Sequence, residues 1–156
     1  MTASTGLTAS EQIAWRTFLR AHATIVRRLE ADLLQEHDLP LASYDVLVQL
    51  SEAPRRGLRM TELADRVLLS RSGLTRLVDR LVREGLVTRE AAPDDARGTL
   101  AVLTDAGFDR LRGAWPTHLR GVVELVTGRL TASEVVRLGV LLAKLVDGDA
   151  PGAVIP

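Results

Sequence analysis

The stretch Ser70-Arg71-Ser72-Gly73-Leu74-Thr75-Arg76-Leu77-Val78-Asp79-Arg80-Leu81-Val82-Arg83-Glu84 decides how the rest of the chain is read. Leu74, Leu77, Val78, Leu81 and Val82 recur at three- and four-residue steps, the spacing of one face of an α-helix. Arg71, Ser72, Thr75, Arg76, Asp79, Arg80 and Arg83 fall on the opposite face. Ser70 suits the N-cap, where its hydroxyl accepts a hydrogen bond from an otherwise unpaired N–H. Gly85 supplies a stop just past the other end. Such a helix packs by its apolar stripe and presents guanidinium groups outward. Arg71 and Arg76 can each grip a guanine edge in the major groove through two hydrogen bonds. Ser70, Ser72 and Thr75 are short enough to let the helix approach the bases. Arg80, a turn further on, is expected to meet phosphate. Gly73 gives up ~1 kcal/mol of helix propensity, which points to a close approach at that position. Alone, an Arg-rich face is more often simply solvated, and Asp79 four residues before Arg83 reads as an ordinary surface pair.

The flanking sequence changes that balance. A short helix over 60–67 precedes the stretch by a few residues. After it, Leu86-Val87-Thr88-Arg89-Glu90 and Thr99-Leu100-Ala101-Val102-Leu103 read as strands joined by a polar loop over 91–98, hence a hairpin. Helix, short turn, helix and hairpin is the order of a winged helix-turn-helix, whose second helix enters the major groove of DNA. The formal net charge is zero over 156 residues, yet residues 55–97 carry ten Arg against seven acids. A local patch of this kind attracts phosphate more than the total charge suggests.

Long helices enclose this unit. Thr8-Ala9-Ser10-Glu11 is a capping box. Behind it Trp15, Phe18, Leu19, His22, Ile25, Val26, Leu29 and Leu33 keep the helical period until Pro40 disfavours helix at Leu39. A helix over 41–51 follows, with Tyr44, Leu47, Val48 and Leu50 inward, and Ala53-Pro54-Arg55-Arg56-Gly57 breaks it. Thr104-Asp105-Ala106-Gly107 opens another long helix through Trp115, with a kink expected at Pro116. A second capping box, Thr131-Ala132-Ser133-Glu134, starts the last helix. Val135, Val136, Leu138, Val140, Leu141, Leu142, Leu145 and Val146 leave little of it polar, so it needs cover on most sides. A mainly α protein with a small β-hairpin wing is therefore expected. It forms a single domain over 1–156, with the winged helix-turn-helix at 41–104 and dimerisation helices at 8–38 and 105–147. A second copy would cover the long helices and set two reading helices ~34–36 Å apart.

Several function classes find no support. The chain has no Cys, which excludes disulfides, thiolate metal sites and thiol redox sensing. Three scattered His residues do not make a zinc site, so neither metal nor cofactor is expected. No Gly-rich phosphate loop, G-x-S-x-G or H-E-x-x-H is present, and no enzyme activity is expected. The first residues lack a signal-peptide pattern and no apolar run approaches a membrane span, which leaves the cytoplasm as the default compartment.

The run from Leu68-Leu69-Ser70 to Leu81, with Glu84-Gly85-Leu86-Val87, resembles the recognition helix of the MarR (multiple antibiotic resistance regulator) family. Asp95-Ala96-Arg97, Leu100, Leu103-Thr104 and Ala106-Gly107 resemble its wing, and the similarity extends over roughly residues 10 to 146. The resemblance implies a triangular homodimer with interlocked terminal helices that binds pseudo-palindromic operators in double-stranded DNA. It also implies a transcription regulator, commonly a repressor, released by small anionic or aromatic effectors. Arg97 would then enter the minor groove and Asp95 would orient it, while Ala96 stands where many relatives carry a second basic residue. Independently, narrow A·T-rich minor grooves hold a negative potential that draws in Arg. As a solvated turn pair, Asp95 and Arg97 would contribute only ~0–1 kcal/mol. The effector cleft implied between the first two helices and the reading unit has Trp15, His22, Tyr44 and Trp115 as candidate lining, although each of these residue types is more often core or interface. Zinc in some relatives draws attention to Glu36-His37 with His118, a set too sparse to hold it. A winged helix used for protein contact is the rival reading. The basic, aromatic-free outer face of residues 70–84 argues against it, since protein-binding faces centre on aromatics.

Overall fold

A computed structural model describes residues 6–67, 69–92 and 95–146. The first helix, α1 (Ala9–His37), begins on the expected capping box, in which Thr8 and Glu11 satisfy each other's backbone N–H groups. It stops at Asp38, whose backbone is left-handed. The next helix, α2 (Leu41–Glu52), has no cap from its own sequence because Pro40 occupies that position. The Glu30 carboxylate on α1 takes over, accepting a hydrogen bond from the Leu41 N–H.

A short strand, β1 (Gly57–Arg59), leads into α3 (Met60–Arg66). Then come α4 (Arg71–Arg83), β2 (Val87–Ala92) and β3 (Asp95–Leu103). The hairpin anticipated from sequence is thus part of a three-stranded antiparallel sheet in the order β1-β3-β2. Gly57 pairs with Val102 and Arg59 with Leu100. Three residues are too few to show alternation, and β1 owes its form to pairing with β3 rather than to local preference. The hairpin strands also reach further than expected, through Ala92 and from Asp95, with Ala91 paired to Thr99, Ala92 to Asp95 and an irregularity in register between them.

The chain closes with α5 (Asp105–Leu125), a single 3₁₀ turn (Thr127–Arg129) and α6 (Ala132–Ala143). The α5 helix runs on through Pro116 without interruption. The expected capping box at Thr131 and Glu134 is formed.

One core joins α2 to α4 and the sheet with the second half of α1 and the first half of α5. Leu33, Leu39, Tyr44, Leu47 and Leu50 meet Leu63, Leu74, Val78 and Leu81, with Leu58, Val87, Ala101 and Leu103 from the sheet and Leu111 and Ala114 from α5. Burying a leucine of this kind stabilises by ~1.5–3 kcal/mol, so the reading helix is fixed chiefly by its apolar stripe. Between α1 and α5, buried Thr117 donates to the Glu36 carboxylate at 2.8 Å and pairs with His37 Nε2 at 2.8 Å. The Glu36 carboxyl is held below its ordinary range by the Thr117 hydroxyl and by Arg120. Polar cross-linking thus fixes the register of the two long helices.

Two consecutive arginines, Arg55 and Arg56, adopt left-handed backbone with φ 53° and 56°. Arg56 is anchored: its guanidinium pairs with Asp105 at 3.0 Å and lies 4.2 Å above the Phe108 ring centroid. Arg55 is exposed. A Cβ in this region costs ~1–2 kcal/mol. Arg55→Gly should therefore raise the urea midpoint, with a net gain of ~0.5–1 kcal/mol after the extra freedom glycine gives the unfolded chain. A lower midpoint would mean that Arg55 makes a stabilising contact outweighing its strain.

Candidate nucleic-acid interface

The helix α4 forms as its sequence dictates. Leu74, Val78 and Leu81 are buried and Leu77 half-buried, while Arg71, Ser72, Thr75, Arg76, Asp79 and Arg83 are exposed. The Ser70 hydroxyl accepts from the Gly73 N–H at 3.2 Å. A Cβ on Gly73 would stand 3.1 Å from that oxygen, so the close approach inferred at Gly73 is to the helix's own cap. At the far end Gly85 has φ +73°, Gly85 N–H donates to Val82 O and Leu86 N–H to Leu81 O. Those two bonds satisfy the last carbonyls and fix where the wing departs.

The outward side chains are pre-set by short local bonds. Thr75 Oγ1 donates to Arg71 O at 2.9 Å, and Arg76 Nε to Ser72 O at 3.4 Å. Ser70, Arg71, Ser72, Thr75 and Arg76 thus occupy one exposed stretch over the first turns of α4. Arg80 behaves differently. Its guanidinium turns toward the body and donates to the buried Ser43 hydroxyl of α2, with Glu84 at 3.8 Å. A buried hydroxyl beside a long apolar stem draws Arg80 inward, away from the solvent-facing group expected from the helical spacing.

Asp79 also departs from expectation. Its carboxylate pairs with Arg89 of β2 at 3.0 Å, whereas Arg83 Nε bonds only the Asp79 backbone carbonyl. The reading helix and the root of the wing are thereby tied together. Nothing in the local sequence signals this link, since its partners lie on different elements. Asp95 and Arg97 belong by backbone to β3. Their side chains lie outside the described residues.

The four aromatic and histidine candidates for an effector cleft are not brought together. Trp15 and His22 project from an exposed stretch of α1, where Trp15 stacks on Phe18 at 6.1 Å. Tyr44 is core, stacked on His118 of α5 at 4.5 Å, and Trp115 is packed against the same core. Burial, and secondarily the Asp45 charge, pushes the Tyr44 hydroxyl above its ordinary value. Burial also holds His118 below its own. The cleft between α1, α2 and the start of the reading unit, about 380 Å³, takes in Val26, Arg27, Glu30, Leu41, Asp45 and Leu69 and none of the four candidates. Asp45 opens onto this cleft; desolvation by the surrounding protein, then the Glu30 charge, pushes its carboxyl up to about 6.

Among the described residues no cluster of His, Cys, Asp and Glu could hold a metal ion, and no helix is long and apolar enough to cross a membrane. Glu36 and His37 instead bond Thr117.

Comparison with known proteins agrees with this geometry. A profile of the MarR family matches residues 37–98, which include α2, the reading helix and most of the wing. The chain is 39% identical to Sco3205, a MarR family transcriptional regulator from Streptomyces coelicolor whose crystal structure is in complex with DNA. The superposition has a TM-score of 0.87 over 93% of this chain and 91% of that one. It is 30% identical to the uncharacterized HTH-type transcriptional regulator YkoM of Bacillus subtilis over 83% of this chain and 82% of that protein. It is 32% identical to the multiple antibiotic resistance protein MarR of Escherichia coli, over 76% and 81% respectively. With the winged helix-turn-helix, the amphipathic reading helix and near full-length similarity in agreement, the chain belongs to the MarR family of transcriptional regulators.

Proposed function

We propose that the protein is a sequence-specific repressor that binds a pseudo-palindromic operator as a homodimer and is released by a small aromatic or anionic effector. The observation that carries this reading is the outer face of α4. Arg71, Ser72, Thr75 and Arg76 stand exposed on a helix whose opposite side is locked into the core, with a wing alongside. Ser70 and Ser72 let the helix lie close to the base edges, and Arg71 and Arg76 supply paired donors for guanine. Arg97, oriented by Asp95, takes the minor groove, and the bond to Ser43 gives Arg80 the task of positioning α4. The DNA complex of Sco3205 supports the assignment of DNA as partner. Dimerisation is supported by α6, on which no residue is buried within one chain despite its apolar composition. A small effector is supported by the cleft between α1, α2 and the reading unit, whose lining combines apolar Val26, Leu41 and Leu69 with the charged groups Arg27, Glu30 and Asp45.

The test is selection of bound fragments from the source genome, followed by ligand titration against the best fragment. A dimer making ~6–10 phosphate contacts should lose ~10³–10⁵ in affinity between ~50 and ~200 mM salt. Arg76→Ala is expected to relax base choice at one position in each half-site by ~1–3 kcal/mol, and Arg97→Ala to lower preference for A·T at the flanks. Unchanged affinity and sequence profile in both variants would reject these site residues. Absence of any selected sequence would favour the protein-contact reading.

A further inference from the structure

A second cleft, of about 440 Å³, lies between α3, α4 and the sheet, and is lined by Arg59, Thr61, Thr75, Arg89 and Thr99 among others. Among the described residues, three hydroxyls and two guanidinium groups border it. Arg89 stands at its edge on β2, held by Asp79 one turn along α4 from Thr75. Both partners keep access to solvent, with Arg89 36% and Asp79 51% exposed.

We propose that this cleft seats a backbone phosphate of the bound DNA, that Arg89 is its cation, and that Asp79 positions Arg89 for it. The inference rests on the DNA-binding reading above and deepens it. Adjacent major and minor grooves are separated by one sugar-phosphate strand. With α4 in the major groove and the wing in the neighbouring minor groove, that strand has to pass between them, across this cleft. A guanidinium carries five donors in a rigid fork, so Arg89 can keep its bond to Asp79 while offering others to a phosphate oxygen. Thr61 and Thr99 supply hydroxyl donors around the same space, while the Thr75 hydroxyl already donates to Arg71 O. The Asp79 carboxylate holds the long side chain in place before DNA arrives, which reduces the ordering cost at binding.

The experiment measures operator affinity against salt for the full-length protein and for Arg89→Ala and Asp79→Asn, each checked by circular dichroism for intact folding. Loss of one phosphate contact in each half-site should lower the slope of log K against log salt by ~1.8 in Arg89→Ala. Affinity should fall about tenfold per half-site, equally on specific and non-specific sequences. Asp79→Asn should weaken operator binding although it removes a negative charge from the DNA-facing side; simple charge removal would tighten it. A methylphosphonate at the strand between the two grooves should weaken the wild type but not weaken Arg89→Ala further. Wild-type slope in Arg89→Ala, or tighter binding by Asp79→Asn, overturns the proposal while selective DNA binding stands. A wild-type protein without selective binding overturns the underlying reading and the seat with it.

Discussion

Gly107→Ala is expected to destabilise the protein by about 3 kcal/mol, since among the described glycines an added Cβ makes its tightest contact there. Gly107 sits in the first turn of α5, at the junction between reading helix and wing. A Cβ there would stand 2.1 Å from the Leu86 carbonyl oxygen and 2.6 Å from Leu103 Cδ1. The first of these contacts is with backbone, and that backbone is committed. Leu86 O accepts from the Thr104 N–H at 3.1 Å, and Thr104 Oγ1 donates to Gly85 O at 2.8 Å while accepting from the Gly107 N–H at 2.9 Å. The C-cap of α4 and the N-cap of α5 are therefore one knot. Overpacking costs ~1–3 kcal/mol, and an opened hydrogen bond adds ~1 kcal/mol. At fixed protomer concentration the melting temperature should fall by ~6–12 °C. The same helix supplies a control, because a Cβ on Gly113 meets nothing within 4 Å. Gly113→Ala should stabilise by up to ~1 kcal/mol through helix propensity alone. If the two variants melted alike, the knot would not be holding these elements together.

What could be read from sequence divides by the range of the interaction. Both capping boxes, the stripe Leu74-Val78-Leu81 and the Gly85 stop were legible, because each is decided by residues within a few positions. The strand Gly57-Leu58-Arg59 was not, since its form comes from pairing with Leu100 to Val102. The reading-helix residues Arg71, Ser72, Thr75 and Arg76 lie on the exposed face that periodicity assigned them. Arg80 follows the same period, yet a buried hydroxyl on α2 captures it. Asp79 has an arginine four residues on, and a better-placed one on the wing takes its carboxylate. Tyr44 offered an apolar body and a polar tip, as suited to a ligand as to a core; its stacking on His118, seventy-odd residues away, settles it in the core. Periodicity states which side of a helix a residue occupies. It does not state which distant group waits there.

Val140→Asp is expected to abolish the proposed homodimer and, with it, tight operator binding. Val140 on α6 is 56% exposed within one chain, and its neighbour one turn earlier, Val136, is 68% exposed. Leu141 and Leu142 on the same helix, and Leu145 just beyond it, are exposed as well. A short helix that leaves this many large apolar side chains uncovered is uncommon on a lone subunit and marks a site of association. Two-fold symmetry doubles every change made in it, so one substitution places two carboxylates in the interface. An uncompensated charge there costs several kcal/mol per ion, so two of them offset the roughly 8 kcal/mol that holds a micromolar dimer together. Light scattering should move from about 34 kDa, twice the 17.0 kDa chain, to the monomer mass. A monomer offers one reading helix, and losing the second from the same particle removes an effective concentration worth ~10²–10⁴ in affinity. Residual binding should then resemble non-specific attraction to phosphate, with weak sequence preference and strong salt dependence. Val140→Ala, which keeps the surface uncharged, should retain the dimer with modest weakening. If Val140→Asp kept both the dimer mass and the operator affinity, α6 would not be the face that joins the two copies.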